Sequence, residues 1–132
     1  SLPQVLASFP QAGLVFFAYQ VRARGDGPRH AWQDEIERRG LSGAVRVHPS
    51  EGEFWPVLAL ADVMVRPTLT DGDSNALREA LHLGVPAVAS DCAPRPAGVR
   101  VYPTGNAGEL ARAIEVRIRE KMGLPPLAAP VE

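Results

Sequence analysis

The sequence is poor in cysteine and in net charge, and it has no long hydrophobic run. Its single cysteine, Cys92, cannot form an intramolecular disulfide. That scarcity is typical of a reducing compartment, so we expect a cytoplasmic location. No apolar run approaches the ~18 residues that a membrane-spanning helix needs, so no transmembrane segment is expected. The 14 basic and 15 acidic residues leave a net charge of -1, which excludes a strong field that would recruit nucleic acid.

Hydrophobic residues and proline are plentiful. The 45% hydrophobic and 22% charged residues are typical of a globular domain, and 132 residues suit one such domain. The 13 prolines fall mainly where helices and strands should end, so they indicate element boundaries rather than disorder. We expect one domain over residues 1–123 and an irregular tail over 124–132.

Short apolar runs alternate with helical patterns along the chain. Strands are predicted at 14–23, 44–48, 62–67, 85–90 and 99–103, and helices at 2–9, 29–40, 53–61, 74–84 and 107–122. This alternation predicts an α/β, Rossmann-like three-layer sandwich with a parallel sheet and helices on both faces. Ligands of such folds bind beyond the carboxyl ends of the strands, where this sequence has polar loops.

One of these loops, in the stretch "RPTLTDGDSNALREAL" at 66–81, is rich in acids. Asp71, Asp73 and Asn75 have the spacing that opens an EF-hand loop. However, Ala76 stands where that loop needs glycine, and His82 stands where it needs glutamate. A divalent metal on Asp71 and Asp73 is also disfavoured, because the pair leads directly into a helix and offers only two carboxylates. We therefore expect no metal.

Two interpretations of the stretch stay open. In the first, Asp73, Ser74 or Asn75 caps the helix and Glu79 is a solvated surface charge. Glu79 lies too far into the helix for a capping box, and its neighbours four residues away offer no ion pair. In the second, the helix N-terminus binds a phosphate, while Asp71 and Glu79 bind hydroxyl groups at opposite ends of a nucleotide sugar.

The segment "ADVMVRPTLTDGDSNALREALHLGVPAVASD" at 61–91 resembles the donor-binding core of glycosyltransferase family 4. These group 1 enzymes are retaining and have the GT-B fold. Their signature is two acids with seven residues between them, which Asp71 and Glu79 match. "GDGP" at 25–28 and "VYPTGNAGELARAI" at 101–114 are similar to further family motifs, so the resemblance runs from about Leu14 to Ile118.

The resemblance implies that the chain is the C-terminal half of a GT-B fold and binds the nucleotide-sugar donor. The full enzyme, of the hexosyltransferase type, would transfer a sugar from a nucleotide diphosphate sugar to an acceptor hydroxyl with retention. It would need no metal or other cofactor. Its partner would be the N-terminal acceptor-binding domain of the same enzyme, so we expect the isolated domain to be inactive. The full-length enzyme could associate peripherally with a membrane.

Two other functions are kept as alternatives. The chain could be a non-catalytic nucleotide-binding module, or it could be part of a GT-B-type sugar epimerase. A related phosphorylase is disfavoured, because the pyridoxal phosphate cofactor would require a lysine and Lys121, near the end of the last helix, is the sole lysine.

The resemblance also implies roles for individual residues. Glu79 would accept hydrogen bonds from the ribose, and Asp71 would approach hydroxyls of the transferred sugar. The residues expected to meet the donor mainly through their backbone are Gly25, Gly27, Val47, His48, Gly72, Asp73, Ser74 and Asn75. The side chain of His48 is interpreted as that of an ordinary loop residue.

The chain departs from the family pattern in several places. The family's basic loop for the diphosphate is missing, and Ala93-Pro94 replaces the usual Gly-Gly. Arg66 and Arg95 are unusual for the family. They could neutralise the two aspartates, bind a phosphate, or be surface charges. Cys92 is interpreted as a small packing residue.

Overall fold

The computed structural model describes residues 1–17, 27–48 and 54–127. Helices and strands alternate along these ranges. The helices are α1 (Leu2–Ser8), α2 (Gly27–Arg38), α3 (Phe54–Leu60), α4 (Asn75–His82) and α5 (Ala107–Met122). The strands are β1 (Leu14–Phe17), β2 (Val45–His48), β3 (Met64–Arg66), β4 (Ala87–Ser90) and β5 (Arg100–Tyr102).

Each predicted element is present in the described part of the chain. The last helix has the predicted bounds, and the strands β2 to β5 are each one to three residues shorter than predicted. The second half of the first predicted strand lies outside the described residues, as does the first half of the "GDGP" motif. None of the helices in the described ranges is long and apolar enough to cross a membrane.

The chain divides into two compact units. The smaller unit, Gln11–Phe54, contains the parallel pair β1–β2. The larger unit, Ser1–Pro10 with Trp55–Glu132, contains a parallel sheet in the order β3-β4-β5. Parallel strands joined through helices confirm the predicted α/β class. That residues 1–123 form one domain stays a prediction.

The core of the larger unit is built around β4. This strand pairs with β3 on one side and β5 on the other, and all four of its residues are buried. Burial on both faces explains its continuous run of small apolar residues. Leu77 and Ala80 of α4 are fully buried, and α5 contributes Leu110 and Ala113 to the same core. The apolar positions of both helices therefore hold them against the sheet.

The ends of α4 are determined by specific residues. Ser74 is the N-cap, and its hydroxyl accepts a hydrogen bond from the amide of Leu77 at 3.4 Å. Among the three predicted candidates, the structure thus selects Ser74. Gly84 follows the helix with a φ of 72°, a conformation that glycine adopts without strain. Because α4 begins after β3, its N-terminus lies at the carboxyl edge of the sheet.

Candidate functional site

Asp71 lies at the centre of a polar cluster beyond the carboxyl ends of β3 and β4. Its side chain is only 8% exposed. Arg66 donates to both of its carboxylate oxygens, from Nε at 2.8 Å and from Nη2 at 3.0 Å. Arg95 Nη1 donates to the same carboxylate at 2.8 Å. One aspartate therefore joins Arg66, the last residue of β3, to Arg95 in the loop after β4.

Arg95 is the most deeply buried charge of this cluster, with 2% of its side chain exposed. Its Nε donates to the backbone carbonyl of Ser90 at 2.8 Å. Its Nη2 lies 3.4 Å from Thr68 Oγ1 and 3.3 Å from Ser90 Oγ. The Ser90 hydroxyl in turn donates to the carbonyl of Thr68 at 2.6 Å. The guanidinium thus connects the end of β4 to the loop that follows β3.

The carboxylate of Asp71 is saturated with donors. Besides the arginines, it accepts from the hydroxyl of Thr68 at 3.3 Å and from the amide of Gly72 at 3.0 Å. These five donors fill the roughly four lone-pair directions of a carboxylate. The hydrogen bonds from Arg66 and then from Arg95 hold the pKa of Asp71 well below its usual range, although burial opposes the shift.

The saturation of Asp71 bears on two predictions. Neutralisation of Asp71 by Arg66 and Arg95 is confirmed. Asp73 instead pairs with Arg78, at 3.1 Å on the surface. A sugar hydroxyl could reach Asp71 only by displacing a donor that is already bound, so this predicted contact stays a prediction and has no free acceptor in the structure.

Cys92 belongs to the cluster rather than to the apolar packing, which corrects its interpretation as a packing residue. Its sulfur accepts from Arg95 Nη2 at 3.5 Å and lies 3.3 Å from Ser90 Oγ, whose one proton is donated to the carbonyl of Thr68. The hydroxyl of Thr68 lies 3.7 Å away. The polar contact with Ser90, followed by those with Thr68 and Arg95, lowers the pKa of the thiol, although burial opposes the shift.

The N-terminus of α4 presents unpaired backbone amides. Those of Asp73, Ser74, Asn75 and Ala76 have no acceptor among the residues that the structure describes. The amide of Gly72, by contrast, already donates to the side chain of Asp71. Gly72 was predicted to offer its amide to a ligand, and this contact stays a prediction that would require the bond to Asp71 to give way. The other three predicted amides are free at the positive end of the helix dipole.

An open cleft of about 430 Å³ adjoins Asp73, the first of these four residues. Its lining residues come from the start of α4 and from the loop after β4, and they are Asp71, Gly72, Asp73, Arg78, Ala93, Pro94, Arg95 and Pro96. A Cβ atom built on Gly72 would meet nothing within 4 Å. The glycine therefore faces open space.

Glu79 stands apart from this cluster. It is exposed in the second turn of α4, and it does not line the cleft. Its carboxylate takes part in no hydrogen bond or ion pair with any residue that the structure describes. Its contact with a ribose stays a prediction.

The remaining predicted site residues belong to the smaller unit. Gly25 lies outside the described residues, and Gly27 is the first residue of α2. Val47 and His48 are the last residues of β2, and their backbones pair with Phe16 and Phe17 of β1. Their roles toward a donor stay predictions.

No group of three histidine, cysteine or acidic side chains within the described ranges could hold a metal ion. In the acid-rich loop, the carboxylates of Asp71 and Asp73 already bind arginines. Cation binding there would compete with these ion pairs.

Sequence reasoning missed Thr68 and Ser90 as members of the site. A signal for Ser90 was present, because it is the one hydroxyl residue of an otherwise apolar buried strand. Its hydroxyl needs a partner there, and Thr68 and Arg95 provide partners. No comparable local signal distinguishes Thr68 from an ordinary loop threonine.

Comparisons with known proteins identify the family. Residues 5–119 match the family described as "Glycosyl transferases group 1". No curated protein sequence matches the chain. The structure is similar to sucrose-phosphate synthase from Thermosynechococcus elongatus, with a TM-score of 0.74 and 21% identity over 92% of this chain and 33% of that one.

At that identity the likeness concerns the fold, and the chain spans about a third of that protein's length. It confirms the predicted Rossmann-like, GT-B type of fold. Because the family match covers most of the sequence, the chain belongs to the group 1 glycosyltransferases.

Proposed function

We propose that the chain is the donor-binding domain of a retaining glycosyltransferase. The full enzyme would transfer a hexosyl group from a nucleotide diphosphate sugar to an acceptor hydroxyl. The observation that carries this proposal is the set of unpaired amides from Asp73 to Ala76, the first of which belongs to a residue that lines an open cleft. Family membership supplies the reaction class.

The proposed ligand of these amides is the diphosphate of the donor. Unpaired amides and the dipole of α4 attract an anion. The surrounding charges favour the same ligand, because three arginines stand against two aspartates in the cluster and its rim. In sugar transfer the diphosphate is the leaving group, and fixed amides would stabilise the negative charge that develops on it.

Glu79 is proposed to bind the ribose of the donor. Its carboxylate is exposed and has no partner among the described residues, so binding of a ligand would not break an existing ion pair. An ionised carboxylate accepts two hydroxyl hydrogen bonds well, which suits the paired hydroxyls of a ribose.

Asp71 is proposed to shape the donor site mainly by binding Arg66 and Arg95, which join the loop before α4 to β3 and to the loop after β4. Its oxygens are already occupied, so direct contact with the transferred sugar would require Thr68 or Gly72 to give way. The contacts of Gly25, Gly27, Val47 and His48 with the donor are proposed on the family resemblance.

The proposal includes no metal and no other cofactor. It includes an acceptor-binding partner domain, since transfer requires the donor and acceptor to be held together away from water. We therefore expect no turnover by the 132-residue polypeptide alone. A cytoplasmic location is also part of the proposal, on the basis of the single cysteine.

Binding of nucleoside diphosphates to the ¹⁵N-labelled chain tests the proposal. Diphosphates of uridine, guanosine, adenosine, cytidine and thymidine are titrated separately to millimolar concentration. With at least one of them, the amide signals of Asp73 to Ala76 should shift in a saturable way, and the free nucleoside should not reproduce those shifts. Absence of a saturable shift with all five would refute the proposal.

A further inference from the structure

We infer that Arg95 is a positioning residue that sets the width of the cleft. It acts through Asp71 and Thr68, and it holds the loop before α4 against the loop after β4. The inference rests on the proposed function, because it concerns how the same cleft is shaped for its ligand.

The two sides of the cleft come from different parts of the chain. One side is formed by Asp71 to Asp73 together with Arg78, and the other is formed by residues 93–96. Arg95 Nη1 and Asp71 Oδ2 join the two sides at 2.8 Å. A change in this contact would therefore change the distance between the sides.

The position of Arg95 is determined from three directions. Its Nε is bound to the carbonyl of Ser90 at the end of β4, its Nη1 to Asp71, and its Nη2 lies near Thr68. A guanidinium is planar, so these directions fix its orientation as well as its place. Burial restricts Arg95 further. Its side chain is only 2% exposed, so loss of a partner would leave a buried charge without compensation.

The backbone on either side of Arg95 is restricted too. Pro94 and Pro96 flank it and fix two backbone dihedral angles of the loop. The loop therefore has few conformations that keep the Arg95 contacts.

Arg95 is a positioning residue rather than a ligand-binding one, because its donors are directed to protein acceptors. Lysine would keep the positive charge but would lack the planar set of donors. A comparison of arginine with lysine at position 95 therefore separates the effect of donor geometry from the effect of charge.

The test compares Arg95→Lys with Arg119→Lys. Arg119 lies on α5, outside the cleft. It is a suitable control because its Nε, like that of Arg95, donates to a backbone carbonyl, here that of Pro125 at 2.6 Å. Both variants keep the net charge. Melting temperature, ¹⁵N amide shifts and affinity for the best-bound nucleoside diphosphate are measured for each.

In Arg95→Lys we expect the amides of Asp73 to Ala76 to shift without any ligand, although the first of these residues, Asp73, lines the opposite side of the cleft and the other three follow it along the chain. Nucleoside diphosphate affinity should fall about tenfold, since small displacements of binding groups are costly. Combining it with Asp71→Asn should add little further loss, because Arg95 acts through Asp71. Arg119→Lys should behave as the wild type does.

Unchanged amide shifts in a folded Arg95→Lys variant would overturn the inference, and so would an affinity loss fully additive with that of Asp71→Asn. If the wild type binds no nucleoside diphosphate, the proposed function fails. The ligand-free amide shifts then still decide whether Arg95 positions the opposite side.

Should Arg95→Lys not fold, the wild-type Arg95 Nε–H signal provides the measurement. It should exchange with water far more slowly than that of Arg119. Equal exchange rates for the two side chains would also overturn the inference.

Discussion

The guanidinium of Arg95 donates to the carboxylate of Asp71 across 2.8 Å, and neither side chain is more than 8% exposed. A buried ion pair of this kind contributes little net stability over an apolar pair of the same shape. Loss of one partner is costly, however, because the other charge is left buried without compensation. The pair therefore makes the carboxyl edge of the sheet sensitive to the ionisation of one aspartate.

Asp71→Asn tests this dependence at neutral pH. The substitution keeps the size of the side chain but removes the charge that Arg66 and Arg95 share. We expect the free energy of unfolding to fall by about 3 kcal/mol, as for other broken buried pairs. Asp73→Asn is the control, and it should cost about 0.5 kcal/mol or less because its pair with Arg78 is exposed. Urea denaturation measures both.

The same pair of variants gives a pH dependence with a defined sign. Because the folded-state pKa of Asp71 lies below its unfolded value, its contribution is fully present above about pH 4. It is lost as the pH falls from there toward the folded-state pKa. Wild-type stability should therefore decline more steeply below pH 4 than that of Asp71→Asn. Parallel curves for the two proteins would show that the carboxylate does not bind the arginines as described.

Gly72→Ala should separate stability from binding. The glycine does not have a positive φ, and a Cβ built there meets no atom within 4 Å. Alanine should thus leave stability unchanged or raise it by up to about 1 kcal/mol. The added methyl group projects beside the amides proposed to bind the diphosphate, so nucleoside diphosphate affinity should fall. Equal affinity in Gly72→Ala would place the ligand elsewhere.

Divalent cations should not bind at the acid-rich loop. The carboxylate of Asp71 is held by two arginines and that of Asp73 by a third, so a cation would have to displace existing ion pairs. Magnesium, manganese or calcium at millimolar concentration should leave the melting temperature unchanged. A saturable rise with one of these ions, abolished in Asp73→Ala, would establish a metal site instead.

The elements of the fold could be predicted from local patterns, and the site could be predicted only in part. The helix at 107–122 has a helical period and ends at Gly123, which is its αL C-cap. For Arg95 the sequence left three roles open, because its partner Asp71 is distant in sequence and comes near only when the strands are adjacent. Local propensity likewise allowed three caps for α4, and the hydrogen bond from the amide of Leu77 identifies Ser74 as the cap.

Glu79→Ala is the most direct test of the ribose contact. Each lost charge-assisted hydrogen bond is worth about 1.5–3 kcal/mol in a favourable site, so we expect nucleoside diphosphate affinity to fall about tenfold or more. Glu79→Gln keeps the shape of the side chain and one acceptor. Its nucleoside diphosphate affinity should therefore lie between those of the wild type and Glu79→Ala. Stability should change by about 0.5 kcal/mol or less, because the side chain is exposed and takes part in no hydrogen bond or ion pair with the described residues.

The ligand series identifies what Glu79 contacts. Glu79→Ala should not weaken the binding of inorganic pyrophosphate, because this ligand has no ribose and the variant only removes a negative charge from its surroundings. A 2′,3′-dideoxynucleoside diphosphate should bind the wild type as weakly as the normal ligand binds Glu79→Ala, and the variant should not distinguish the two ligands. Glu37→Ala, at an exposed glutamate of α2, serves as the control. If Glu79→Ala loses affinity for pyrophosphate to the same extent, or if it unfolds, then Glu79 has a structural role and its assignment to the ribose is wrong.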